Sequence, residues 1–220
     1  HPFTAHDLEW SWKRVLAPKT DSRYASFLWS LQNGEAFNRN AIVVDNFPNH
    51  MTTEQLQTHI GDSIPIEKLE IQSQTNRAFI FLKSNKLTQQ AIDAIQTKPF
   101  KGSQLKAKIT TADLVGVQAL DNLTLQVQLQ NPIPYFLDVI MFYTTMPVPR
   151  HVIEKLEAQG KNPELWTRPE HIVSNGAYTF KEWKFRQYMI LERNERYWDS
   201  QNTRTKTIRL EMTESYNTSL

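Results

Sequence analysis

The sequence predicts a mixed protein of the α/β type, in its α+β form, and three patterns support that fold class. Apolar residues recur at every third or fourth position in several segments, which is the spacing of one face of a helix. In other segments they alternate with polar residues, as in a strand with one buried face. Between residues 41 and 109 the two patterns follow in the order βαββαβ, which predicts a self-contained inserted domain.

The composition is that of an ordinary globular protein. Of the 220 residues, 40% are hydrophobic and 22% are charged, which excludes general disorder and allows a sizeable core in one or two domains. The net charge of +2 is too small to indicate a nucleic-acid partner by itself. No apolar run approaches the roughly 18 residues of a membrane span, so we expect no direct membrane insertion.

The absence of cysteine excludes disulfides, thiolate metal sites and cysteine nucleophiles. The first residues, His1 to Thr4, have neither the basic nor the apolar region of a signal peptide. A chain that begins at His-Pro without Met is expected to be an internal or processed fragment of a longer protein.

Two helices are predicted before residue 41. The first begins at Thr4, where Asp7 completes a variant capping box, and it ends before Pro18. The second is predicted from Ser22 to about Gln32, with Asn33-Gly34 as its end signal. Its aromatic residues are more typical of a core than of a binding site.

The inserted domain contains six predicted elements. Its apolar periodicity gives strands and helices in alternation, with Gly61 closing the first helix. The predicted ranges are strand Ile42–Asp45, helix Thr52–Ile60, strand Ile66–Gln72, strand Arg77–Leu82, helix Asn85–Gln96 and strand Gln104–Ile109.

The part of the chain after residue 110 predicts two strand pairs with helices between them. The first pair surrounds Leu120-Asp121-Asn122, and a short aromatic helix follows Pro134. A further helix is predicted from His151 to Gln159, and Gly160 ends it. The last elements are strands at 177–185, 187–193 and 207–213, and Asn175-Gly176 is predicted to form a turn because both residues tolerate positive φ.

Motifs of catalysis are absent from the sequence. There is no GxSxG, HExxH, phosphate-binding glycine loop or EF-hand loop, so an enzyme and a bound cofactor are not expected. The six histidines are scattered: His50 and His59 bracket one helix, and His151 shares a helix face with Glu154. Two groups without a third ligand are more typical of a solvated surface than of a metal site.

Five stretches resemble one protein family, in the same order along the chain. They are TAHDLEWSWKRVLAPKTDSRYASFLW at 4–29, LVGVQALDNLTLQVQLQNPIPYF at 114–136, MPVPRHVIEK at 146–155, SNGAYTFKEW at 174–183 and LERNERYWD at 191–199. They are similar to extracellular solute-binding family 5, which includes the oligopeptide-binding proteins of peptide ABC transporters.

The resemblance implies a partial periplasmic-binding-protein type II-like fold with an inserted ferredoxin-like domain. Residues 1–40 and 110–148 resemble the accessory domain, 149–220 resemble part of one ligand-binding lobe, and 41–109 are the insert. It also implies a peptide ligand, enclosure between two lobes, delivery to permease subunits, and a periplasmic or extracytoplasmic location. The family's N-terminal strands and second lobe are missing from this chain.

One ligand-binding residue is carried over from the resemblance. The family's cleft-lining tyrosine, which follows its WKR helix, corresponds to Tyr24 in SRYAS. A phenol ring can pack against a peptide backbone and still donate a hydrogen bond. The alternative is that Tyr24 is a core or rim aromatic, and the SNGAY motif is interpreted as scaffold.

The insert resembles an RNA-recognition motif in topology, a family that stacks bases on sheet aromatics. Its first motif, at 42–47, has Val43 in place of an aromatic, and its second has Arg77 in place of another while Phe79 is kept. Phe81 would share that face. The insert carries eight Lys or Arg against six Asp or Glu, a weak charge for binding phosphates.

The Arg77, Phe79 and Phe81 face is therefore predicted to dock onto protein, with RNA binding as the alternative. The leading hypothesis for the whole chain is the substrate-binding component of a peptide ABC importer, and no nucleic acid is expected. The alternatives are an interaction module centred on the insert, or a scaffolding protein that has lost transport.

Overall fold

A computed structural model of the chain describes residues 2–46, 51–61, 63–97 and 99–212. The chain divides into two compact units. The larger unit comprises residues 8–146, and the smaller unit comprises residues 1–7 together with 147–220. In the described ranges, no helix is both long and apolar enough to cross a membrane.

The first helix, α1, runs from Ala5 to Leu16, as predicted. Its start is capped by Asp7, whose carboxylate accepts from both the backbone N–H and the hydroxyl of Thr4, at 2.8 and 3.1 Å. The buried Trp12 packs in the core of the larger unit, and its indole N–H donates to the backbone oxygen of Thr145 at 2.7 Å. This bond connects α1 to Thr145, which is next to the last residue of the larger unit.

The helix predicted from Ser22 to Gln32 is wrong. Only a short 3-10 helix forms there, at Ala25–Leu28, followed by turns and by α2 (Gly34–Asn38). The reason is a competing partner: the Gln32 N–H donates to the backbone oxygen of Gln128 at 2.8 Å, so it is not available to a helix. Asn33, with φ of 58°, then turns the chain into α2.

The stretch from residue 41 to 109 forms one antiparallel sheet with two helices, and its predicted elements are confirmed. The strand order is β2-β3-β1-β4. Their bounds are β1 Ile42–Asp45, α3 Thr53–Ile60, β2 Ile66–Gln72, β3 Arg77–Leu82, α4 Thr88–Thr97 and β4 Lys106–Ile109. Two residues of the predicted motifs, Phe47 and His50, lie outside the described residues.

Alternation along the strands gives this sheet two apolar faces. Side chains at one set of alternate positions pack against α3 and α4 and form a buried core. Its strand members are Ile42, Val44, Ala78, Ile80, Leu82 and Ala107, and its helix members include Leu56, Ile60, Ala91 and Ile95. The other positions of the same strands, Val43, Phe79 and Phe81, point the opposite way into a second buried cluster.

The two ends of this stretch meet at a single place. Thr110, directly after β4, donates to the backbone oxygen of Ala41 twice, from its N–H at 2.8 Å and from its hydroxyl at 2.6 Å. Both residues are buried. The chain therefore enters and leaves the sheet at neighbouring points.

A small strand pair and a short helix complete the larger unit. β5 (Val117–Ala119) pairs with β6 (Leu125–Val127), and α5 spans Phe136–Val139. Before β5, the Gly116 N–H donates to the backbone oxygen of Gln32, and the Gly116 oxygen accepts from the Gln128 N–H. Because three backbone segments meet at Gly116, a side chain there would have no room.

The smaller unit contains α6 (Arg150–Ala158) and a three-stranded sheet in the order β7-β8-β9. These strands are β7 Tyr178–Lys184, β8 Tyr188–Arg193 and β9 Thr207–Glu211. The predicted hairpin is confirmed, and Arg186 at its turn has φ of 57°. The end predicted for the last strand, Thr213, lies outside the described residues.

At Asn175-Gly176 the predicted change of direction is present as a bend, but its backbone conformation differs from the one expected. Neither residue has positive φ. Instead the Gly176 N–H donates to the hydroxyl of Ser174 at 3.0 Å, and this bend leads directly into β7. The local hydrogen bond replaces the left-handed backbone that the pair of residues would also have allowed.

The crowding at Gly116 gives a stability prediction. In Gly116→Ala the added methyl group would collide with the backbone oxygen of Gln128 and lie 2.8 Å from Cβ of Gln32. We expect the free energy of unfolding, measured by urea denaturation, to fall by about 1–3 kcal/mol. Gly176→Ala is the control, since its nearest neighbour is the Ser174 hydroxyl at 3.3 Å. Equal stability of the two variants would contradict the close approach.

Candidate functional site

Four aromatic side chains form a surface group in the larger unit, named here the aromatic patch: Tyr24, Phe27, Phe142 and Tyr143. The ring of Tyr24 meets the other three edge to face, at centroid distances of 6.0, 5.4 and 5.6 Å respectively. Phe27 and Phe142 are stacked at 4.4 Å. Tyr24 is 41% exposed and Tyr143 63% exposed, so the patch faces solvent.

Buried neighbours hold both segments of the patch in place. Tyr24 precedes the 3-10 helix Ala25–Leu28, whose two end residues are buried in the unit. On the other side, the buried Thr145 donates from its hydroxyl to the backbone oxygen of Phe142 at 2.7 Å and also accepts the Trp12 bond at its own backbone oxygen. The backbone that carries the exposed rings is therefore fixed by buried residues in both segments.

The two phenol groups of the patch interact with each other. A hydrogen bond between the hydroxyls of Tyr24 and Tyr143 raises the pKa of Tyr143 above its ordinary value of 10.0. The Tyr143 phenol is thus neutral at physiological pH. The patch can offer a ligand aromatic faces and edges together with two hydroxyl groups, but no fixed charge of its own.

A second candidate feature is a cleft in the smaller unit with a volume of about 640 Å³. That volume is within the range of small-molecule sites. Residues of two sequence motifs line it: Ser174 and Asn175 of SNGAY, and 193–196 of LERNERYWD. These residues were interpreted as scaffold, and their spacing carried no signal of a cleft because the cleft is formed by separate segments of the chain.

The charged groups of the cleft are partly satisfied by each other. Arg193 donates to the Glu195 carboxylate at 2.7 and 2.9 Å and to the backbone oxygen of Thr203 at 3.1 Å. Asn194 is fixed by a bond from its amide to the backbone oxygen of Gly176 at 2.9 Å. These bonds fix the orientation of Arg193 and Asn194 in a cleft that is lined by both polar and apolar side chains.

The insert face predicted for interaction is not exposed. Phe79 and Phe81 are buried, with Val43, against Ala36 and Ala41 of the preceding segment. Neither ring can stack a base there, because the face is covered by the same chain. The residue that completes the predicted set, Arg77, donates to the Asp45 carboxylate at 2.8 Å.

Charged residues close over the rim of this buried face. The guanidinium of Arg39 and the ammonium of Lys68 lie 5.3 and 4.9 Å from the ring centroid of Phe81. Glu35 pairs with both cations, at 3.0 and 2.9 Å, and Arg39 also reaches Glu67 at 2.6 Å. The Arg39 guanidinium lowers the pKa of Glu67 below its ordinary value of 4.5.

Metal ligation finds no support in the described ranges. They contain no group of three or more His, Asp or Glu side chains that could hold an ion. Glu154, predicted to share a helix face with His151, pairs with Arg150 at 2.7 Å. His59 packs edge to face on Phe100 at 5.5 Å, which is a packing role.

Comparison with known structures defines the class of fold. A solved structure of OppA from Burkholderia pseudomallei superposes with a TM-score of 0.61 at 19% identity, covering 99% of this chain and 28% of that one. The fold is therefore that of a periplasmic binding protein of type II, of which the chain forms a part.

Comparison of sequences gives the family. A sequence model of a protein family, described as "Bacterial extracellular solute-binding proteins, family 5 Middle", matches residues 1–220. The chain belongs to this family. The periplasmic oligopeptide-binding protein OppA of Salmonella typhimurium is 28% identical over 202 residues, which are 92% of this chain but 24% of that protein. A probable deoxycholate-binding periplasmic protein, YgiS of Escherichia coli, is 33% identical over 125 residues, 52% of this chain and 22% of that protein.

The burial of Phe79 predicts a structural role for its ring. Phe79→Ala should lower the free energy of unfolding by about 3–5 kcal/mol, because it removes a large buried side chain and leaves a cavity. Phe185→Ala is the matched control, since that ring is 68% exposed at the β7–β8 turn. Chemical denaturation that shows no difference between the two variants would place Phe79 at the surface instead.

The lowered pKa of Glu67 predicts a pH dependence. A carboxylate whose pKa is lower in the folded state stabilises the fold above pH 4.5, and this contribution is lost as the pH falls through the lowered value. Glu67→Gln should therefore have a lower unfolding temperature than the unchanged chain at pH 7, and the difference should shrink as the pH falls through the lowered pKa of Glu67. Glu170→Gln, at an exposed carboxylate, should show no such difference at pH 7. A Glu67→Gln effect that persists undiminished at acidic pH would exclude the ion pair as its source.

Proposed function

We propose that the chain is part of the substrate-binding component of a peptide ABC importer, which captures oligopeptides and delivers them to the membrane permease. The observation that carries the proposal is the family match, which extends over the whole chain. The exposed aromatic patch supports it, because Tyr24 is placed where a ligand can reach its ring. The chain spans about a quarter of the Salmonella relative, so the complete protein supplies further contacts.

Binding in this proposal involves no covalent step. A peptide presents a regular series of backbone N–H and C=O groups, and hydroxyls and amides can bond to them whatever the side chains are. Aromatic rings add apolar contact area against the peptide chain. Closure of the complete protein around the peptide would exclude water, and reopening at the permease would release it.

The domain assignment forms part of the same proposal. Residues 1–40 and 110–148 act as the accessory domain, and 149–220 as part of a ligand-binding lobe. The complete protein works in the periplasm or at the outer surface, with permease subunits as partners. The family description, extracellular solute-binding proteins, supports this location.

The insert is proposed to be a ferredoxin-like domain that packs against the accessory domain and stabilises it. Two observations support this role: its strand order, and the buried bonds between Thr110 and Ala41 that bring its ends together. Its second sheet face is already covered by the chain. A nucleic-acid function for this face is therefore disfavoured.

The test of the transport proposal is ligand binding by the complete parent protein. Oligopeptides should raise its unfolding temperature, because a ligand that binds only the folded state stabilises it. In Tyr24→Ala the affinity, measured by calorimetry, should fall by about tenfold, which corresponds to about 1.4 kcal/mol. Tyr24→Phe, which keeps the ring, should lose less affinity than Tyr24→Ala.

Deoxycholate is the comparison ligand for this experiment. Stabilisation by deoxycholate and not by any oligopeptide would replace the peptide assignment with another cargo. No stabilisation by either, in a folded parent protein, would favour a scaffolding protein that has lost transport.

A further inference from the structure

Phe142 occupies the centre of the aromatic patch. Its ring lies within 5.4 Å of the other three rings: stacked on Phe27 at 4.4 Å, tilted against Tyr143 at 4.4 Å, and facing the edge of Tyr24 at 5.4 Å. The family resemblance pointed to Tyr24 alone as a ligand-binding residue. The tertiary structure adds three rings to it, so the surface next to Tyr24 consists of side chains rather than of backbone.

The patch is preorganised for a flat apolar group. The backbone of Phe142 is bonded to the buried Thr145 and the four rings contact one another, so the patch has little side-chain freedom to lose on binding. The edge-to-face angles of 68–78° around Tyr24 are those that isolated aromatic pairs prefer. Another ring can join such a group with the same geometry.

The electrostatics of the patch favour a neutral ligand group. Two of the four side chains are hydrocarbon rings and two are phenols, and none is a carboxylate, an ammonium or a guanidinium group. A lysine side chain could also lie over a ring face, but at an exposed site it retains its water and gains little from the ring. An aromatic side chain gains binding free energy both from the burial of apolar area and from contacts between rings.

We propose that the aromatic patch is a selectivity element, with Phe142 at its centre, that favours oligopeptides carrying an aromatic side chain at one position. This inference rests on the proposed function, because it specifies the ligand class of the same surface. It does not follow from peptide binding as such, which backbone contacts alone could provide without any preference among side chains.

The experiment uses the complete parent protein and a set of alanine pentapeptides in which Phe, Leu or Lys replaces each position in turn. At one position the Phe peptide should bind about three- to tenfold more tightly than the Leu peptide, as measured by calorimetry. In Phe142→Leu, which keeps apolar volume and loses the ring, this ratio should fall to about one. Leu137→Ala, at a side chain that is 72% exposed in α5, is the control and should keep the ratio.

The outcomes separate the two proposals. If the peptides bind but no position prefers Phe, or if the preference survives Phe142→Leu, the selectivity proposal is wrong while the proposed function stands. A Lys preference at that position would likewise overturn it. If none of the peptides binds, both proposals fall. Should Phe142→Leu lower the unfolding temperature, Tyr143→Leu, at a ring that is 63% exposed, gives an independent test with the same expected loss of preference.

Discussion

The larger unit depends on a sheet that is apolar on both faces. A strand directs alternate side chains to opposite sides, so the apolar residues of β1 and β3 point both ways and both faces need a cover. Helices α3 and α4 cover one side, and Ala36 of α2 together with Ala41 covers the other, against Phe79 and Phe81. The sheet is therefore packed against the segment around α2, and its second face is buried in the fold.

The same local rule produces the exposed aromatic patch. In each of its two segments, some side chains anchor the backbone while their neighbours are turned outward. Leu28 is buried near Phe27, which is exposed, and Thr145 is buried near the exposed Tyr143. Because Thr145 accepts a hydrogen bond from Trp12 of α1 and Leu28 lies in the same buried cluster as Trp12, the position of the rings is set by the core of the unit.

Local patterns predicted most of the fold, and their failures have identifiable causes. All the strands and helices of 41–109 follow from periodicity and capping, because each buries a face that its own sequence defines. The helix predicted at Ser22–Gln32 fails because Gln128, distant in sequence, takes the backbone bond of Gln32. At Asn175-Gly176 the chain bends as predicted, but without positive φ, and the Gly176 N–H donates to the Ser174 hydroxyl.

By itself, the sequence determined the mixed α/β class and the family resemblance, and it pointed to Tyr24 as the proposed ligand residue. Only the tertiary structure decided which residues surround that tyrosine, that Phe79 and Phe81 are buried, and that SNGAY lines a cleft. The physical reason is that periodicity records which side chains of one segment share a face. It does not record which distant segment covers that face, since that is set by packing between segments.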